Sequence, residues 1–264
     1  LKQWNGLLKK EWILMKWPLL AMVIIGIAVL TVFPFLFIRT FGLDVHFYEI
    51  TLVMSFLWAL AGTLVPVGTL LVLLEREMKR PDVWLHSTVS IFKLIGSKMA
   101  FAVLIGIISF LIPTLVLAIE YNFVYLPIFV MGDMFRFGVW FLITLFYASV
   151  AVMGFGFFLW VLYRLLKQVI RGFAVPATLL LFVFFIWLAA RVGQTELYER
   201  IVQVGKVDLS KVATLQTPAG ESYESGHSLF YTAEFYTGEL VLDVLLMLAM
   251  FIGGAVLFEK KIRL

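Results

Sequence analysis

The sequence predicts an all-α membrane protein with six transmembrane helices and both termini on the cytoplasmic side, and three observations carry that expectation. The chain of 264 residues is 62% hydrophobic and only 14% charged, with a mean hydropathy of +1.02, more apolar side chain than a soluble core of this size absorbs. Six apolar runs long enough to span a bilayer alternate with polar or charged connections. The lysines and arginines divide unequally among those connections. The N-terminus (Lys2, Lys9, Lys10, Lys16), the central connection (Arg76, Lys79, Arg80, Lys93, Lys98), the turn after the fourth run (Arg164, Lys167, Arg171) and the C-terminus (Lys260, Lys261, Arg263) hold fifteen of the 21, against six on the other side. The positive-inside bias therefore places both ends in the cytoplasm. The same distribution accounts for the net charge of +4 without a nucleic-acid patch, since the basic residues sit at span ends.

Taken in order, residues 1–16 place Trp4, Leu7, Leu8, Trp12 and Met15 at three- and four-residue spacing, with Lys2, Lys9, Lys10 and Lys16 between them. That pattern reads as an interfacial amphipathic helix, tryptophans at headgroup depth and lysines toward anionic lipid. It also reads as an N-terminal extension of the first membrane helix. The first span covers residues 17–38, with Pro18 at its start and Pro34 placed to kink its outer end. The second, residues 50–74, contains Gly62, Thr63, Pro66, Gly68 and Thr69, small and polar residues that let helices approach closely. The third covers residues 97–119 and holds Pro113 and Thr114. Besides helix packing, Thr63, Pro66, Thr69, Pro113 and Thr114 are the candidates for a substrate path.

The fourth apolar run, residues 135–166, would extend about 45 Å at 1.5 Å per residue, longer than the roughly 30 Å hydrocarbon core. It should tilt or project, and Gly154 and Gly156 within it suit close packing or a bend. The fifth span, residues 173–190, is short and has Pro176 near its start. Residues 191–238 form the longest polar interval, an extracellular loop. It opens on an amphipathic piece with Leu197, Tyr198, Ile201 and Val202 set against Glu196, Glu199 and Arg200, passes through the turn-rich Thr217-Pro218-Ala219-Gly220-Glu221, and ends on an aromatic stretch, residues 229–236. Residues 239–258 make the last span, and the whole of 1–264 reads as one transmembrane domain.

The stretch that orders the chain is residues 75–98, EREMKRPDVWLHSTVSIFKLIGSK. Glu75, Arg76 and Glu77 close the second span, Pro81 and Asp82 suit the first turn of a new helix, and Val83, Trp84, Leu85, Ile91, Phe92, Leu94 and Ile95 supply an apolar stripe interrupted by polar residues. A short surface helix, a bend and re-entry at Gly96-Ser97-Lys98 are expected. A span ending in Glu-Arg-Glu, a short helix closing on Leu85-His86-Ser87 and a Gly-x-Lys at the next span's mouth together resemble the permease subunits of type-2 ABC exporters. Ser87 is followed here by Thr88-Val89, where that family often has proline.

The resemblance implies a membrane subunit in the plasma membrane of a bacterium, paired with a second permease, the same chain or a paralogue. It implies a coupling helix within residues 75–98 that docks on a separate ABC ATPase subunit, and ATP and Mg held by that ATPase rather than by this chain. Glu75, Arg76, Glu77, Pro81, Asp82, Trp84, Leu85, His86 and Ser87 are then the coupling residues, Trp84 and Leu85 being the apolar anchors. The cargo implied is amphiphilic or apolar: an antimicrobial peptide, a lipid or a drug.

The chemistry missing from the sequence agrees. There is no GxxxxGK[ST] phosphate loop and no HExxH, and His46, His86 and His227 fall in three different loops, so neither a catalytic residue nor a metal site is expected. The absence of cysteine excludes disulfides, thiolate metal sites and a cysteine nucleophile. An intramembrane protease would need ligands converging on one point, and Glu75 and Glu77 have no membrane-embedded histidine beside them. Glu75-Arg76-Glu77 also reads as a helix-end ion cluster that satisfies only itself. An ion-coupled carrier usually needs ionisable groups inside the bilayer, and the span interiors lack them apart from Asp243. A sensor or immunity protein that binds a membrane-active peptide through the long outer loop is the reading from another class.

Overall fold

Backbone amides in an apolar medium must bond within their own segment, and the long apolar runs of this chain fold as helices. The structure, a computed structural model, describes residues 2–42, 47–79, 90–121, 128–207 and 235–263. In order these form α1 (Lys2–Phe41), α2 (Phe47–Gly62), α3 (Val65–Met78), α4 (Ile91–Tyr121), α5 (Ile128–Ile170), a 3-10 turn (Arg171–Phe173), α6 (Ala174–Gly193), α7 (Glu196–Val202), β1 (Lys206–Val207), β2 (Phe235–Tyr236) and α8 (Thr237–Phe258). A π-helical turn, Glu259–Arg263, follows α8. Among the described residues five stretches are long and apolar enough to cross a membrane: Trp4–Phe41, Phe47–Met78, Ile91–Glu120, Gly138–Gly193 and Thr237–Lys261. The chain is thus a helical, multi-pass membrane protein by length and composition.

The fourth stretch, 56 residues long, doubles back. Ile170 leaves the helical region, Arg171 takes φ 37°, and the Phe155 ring lies 5.9 Å from Phe182 and 6.1 Å from Phe185. Rings some thirty residues apart along one helix would stand roughly 45 Å apart, so α5 and α6 form an antiparallel hairpin.

Three expectations are corrected. No break separates an interfacial helix over residues 1–16 from the first span: α1 is continuous, and Pro18 lies inside it. Proline at 18 cannot donate to the Leu14 carbonyl, and the Arg76 guanidinium donates to that carbonyl instead, Nη1 to O 3.0 Å. The same device recurs at Pro113, where the orphaned Ser109 carbonyl accepts from the Trp58 indole, 3.2 Å. Second, the span expected over residues 50–74 is two helices. The Gly62 carbonyl has no donor at Pro66, and a turn at Thr63–Leu64 closes on the Leu60 and Ala61 carbonyls. Third, α4 begins at Ile91, so Gly96-Ser97-Lys98 lies in its second turn rather than at a mouth.

If Arg76 satisfies what Pro18 leaves open, Arg76→Met should lower stability by about 0.5–1.5 kcal/mol, and by less in a Pro18→Ala background, where residue 18 supplies its own N–H. Unfolding of the two single variants and the double variant in detergent reads the coupling.

Packing explains which end of the bundle is fixed. α4 lies against α1, α2 and α3, while α5 lies against α3, α6 and α8, so α3 joins two halves. The largest buried cluster gathers Leu70 and Leu74 of α3, Ile91 and Ile95 of α4, Phe157, Trp160 and Val161 of α5, and Ala255 and Phe258 of α8. It sits at the ends where α3 and α8 finish and α4 starts. Glycine permits two of the crossings. A Cβ on Gly106 would lie 2.6 Å from the Pro66 ring, and one on Gly156 2.4 Å from Val67 Cγ2. Gly68, also expected to serve packing, has nothing within 4 Å among the described residues.

Candidate functional site

The last turn of α3 places Glu75, Arg76 and Glu77 at successive angles around the helix, and each binds a different surface. The Glu75 carboxylate accepts from the Trp160 indole at 3.0 Å and pairs with Arg164 at 2.5 Å, both on α5. The Arg164 guanidinium stands 5.2 Å from the centroid of the Trp160 ring, which in turn stacks on Phe258 of α8 at 5.7 Å. Arg76 reaches α1 through the Leu14 carbonyl. Glu77 accepts from Lys10 of α1 at 2.6 Å and from Lys98 of α4 at 3.0 Å. Lys98 also donates to Glu11 of α1. Three consecutive residues thereby tie α1, α4 and α5 to α3.

The ties differ in burial, and burial sets their cost. Lys98 and Glu11 are each 1% exposed, so neither charge is hydrated and each depends on the other. Lys10 is half exposed and contributes little by itself. Among the described residues, Glu11 Oε2 and Arg164 Nε are buried without a hydrogen-bond partner, and both belong to this junction.

The reading of Glu75, Arg76 and Glu77 as a self-contained ion cluster is therefore corrected: among the described residues their side-chain partners lie on α1, α4 and α5. Pro81, Asp82, Trp84, Leu85, His86 and Ser87 lie outside the described residues. Sequence reasoning missed Glu11, Trp160 and the burial of Lys98 altogether. The signal was present in two misfits, a lone acid on a helix whose other charged residues are all basic, and a lysine set just inside an apolar run.

The five path candidates have different surroundings among the described residues. The Thr63 hydroxyl donates to the Leu60 carbonyl at 2.7 Å and that of Thr114 to the Phe110 carbonyl at 3.0 Å, the usual back-bonding of a helical threonine. Pro66, Thr69 and Pro113 are buried in helix packing. Thr114 borders a groove of about 260 Å³ between α4 and α5, whose other walls are apolar.

At the far end of the bundle, Asp243 of α8 accepts from the Tyr147 hydroxyl at 3.0 Å, so the one acid expected inside a span has a donor. Beyond the span, burial and then the Asp243 and Glu239 carboxylates push the Tyr198 hydroxyl above the ordinary tyrosine range. Among the described residues no group of three or more histidine, aspartate or glutamate side chains is placed to hold a metal ion. Compared with protein-family models, curated proteins and solved structures, the chain matches none.

Proposed function

We propose that this chain is the membrane-spanning subunit of an ATP-driven exporter of amphiphilic or apolar cargo, moved by a separate ATPase that grips the segment between α3 and α4. In this reading α1, the α2–α3 pair, α4, α5, α6 and α8 make six passes, with the Glu75 end in the cytoplasm and a second permease completing the path. The observation that carries it is the junction at Glu75, Arg76 and Glu77. These residues close α3, directly before the segment between α3 and α4 in sequence, and they are tied to α1, α4 and α5 at once. A push delivered to that segment would reach three helices through ion pairs and short hydrogen bonds rather than through flexible loop. The given sequence carries no phosphate loop, so in this reading the nucleotide is held by a partner.

Trp84→Ala is expected to weaken association with the ATPase, or to uncouple hydrolysis from cargo, while membrane insertion is unaffected. Co-purification of the partner and cargo-stimulated ATP hydrolysis in liposomes measure it; both unchanged would count against the proposal.

A further inference from the structure

The short helix α7 is held across the start of α8 by a contact that only glycine allows. A Cβ on Gly238 would lie 2.2 Å from the Ile201 carbonyl oxygen. The Gly238 and Thr237 amides donate to the Val204 and Gly205 carbonyls at 3.0 and 3.1 Å, and the Thr237 hydroxyl adds bonds to the same two carbonyls. Gly205 turns at φ +73° to make this possible. The crossing leaves a cleft of about 600 Å³, within the roughly 300–1,000 Å³ of small-molecule sites.

One wall is Ile201 and Val204, the other Val241, Leu242 and Leu245, and Arg200 is the one charged residue on its lining. Among the described residues Arg200 has only a loose partner, Glu196 at 3.8 Å, and both side chains are more than four-fifths exposed. The Thr237 hydroxyl is already engaged. The lining is thus an aliphatic slot running down a membrane-spanning helix, with a single guanidinium at the end where that helix begins.

We propose that this cleft is a phospholipid site, one acyl chain lying along Ile201, Val204, Val241, Leu242 and Leu245 and the phosphate bound by Arg200. Aliphatic walls suit a methylene chain. A guanidinium suits two phosphate oxygens. A bound peptide would need backbone donors and acceptors, and the described lining leaves none free on its side chains beyond Arg200.

The test is photolabelling of the purified full chain in mixed micelles by phosphatidylglycerol with a diazirine in its acyl chain, the labelled residues being read by mass spectrometry. Label is expected on residues 201–204 and 241–245. It should fall about tenfold in Leu242→Trp, which fills the slot, and in Arg200→Gln, a surface change that spares the fold, as expected for loss of a charge-assisted bond. Leu246→Trp, on an exposed part of α8 outside the cleft, should label as the unaltered chain does. Even labelling along α8, retention in both cleft variants, or equal loss in the Leu246 control would overturn the proposal. So would label that reaches the cleft only after residues 208–234 are deleted, because those residues would then be its occupant.

Discussion

Replacing Lys98 with methionine is expected to destabilise the helical bundle by about 3–5 kcal/mol, the largest effect of any single substitution considered for this chain. Lys98 is 1% exposed and serves two carboxylates, Glu11 and Glu77. Its removal leaves Glu11, equally buried, as an uncompensated charge, while Glu77 keeps Lys10. The diagnostic result is recovery. Glu11→Leu in the same chain removes the stranded charge, and a buried pair replaced by apolar residues is often close to neutral, so the double variant should return to within about 2 kcal/mol of the starting chain. Equilibrium unfolding in detergent, with the four chains of the cycle compared, measures it. A loss below about 1 kcal/mol in Lys98→Met would show that the pair is hydrated and the junction loose.

The second large effect is steric. Gly106→Val should cost about 1–3 kcal/mol, because its Cβ would lie 2.6 Å from Cγ of the Pro66 ring, a group with no rotamer to yield. Pro66→Ala clears that atom, so the pair should be strongly non-additive, the second substitution recovering part of the loss from the first. The same cycle read as simple additivity would mean that the α3–α4 crossing is held elsewhere.

Much of the fold was legible because its cause is local. The apolar runs and the helix at Glu196–Val202 follow from hydropathy and spacing, and helices in an apolar medium need no partner to satisfy their backbone. What was not legible depends on partners far away in sequence. Pro18 read as a helix start and Pro113 as a residue inside a span, and in both helices a side chain from another segment, Arg76 or Trp58, takes over the carbonyl that the proline leaves open. Pro66, with no such donor at Gly62, does break its helix. Proline therefore has opposite outcomes in this chain: α1 runs through Pro18 and Pro34 and α4 through Pro113, whereas a turn precedes Pro66. Likewise the site was half visible. Glu75, Arg76 and Glu77 stand out as charges at a span end, whereas Glu11, 64 positions before Glu75, declares itself only when α1 packs on α4.

The reading of the Glu75 end as the lever of a nucleotide-driven transporter is tested most directly by covalent capture at position 84. The chain contains no cysteine, so Trp84→Cys gives a unique thiol. It is treated, in cells that hold the natural partners, with a maleimide carrying a photoreactive arm, and the adduct is identified by mass spectrometry. The expected result is a cross-link to a separate protein with an ATP-binding phosphate loop, formed by a membrane-permeant reagent and not by an impermeant one applied to intact cells. Reaction of position 84 with the impermeant reagent, or a set of adducts with no nucleotide hydrolase among them, would contradict it.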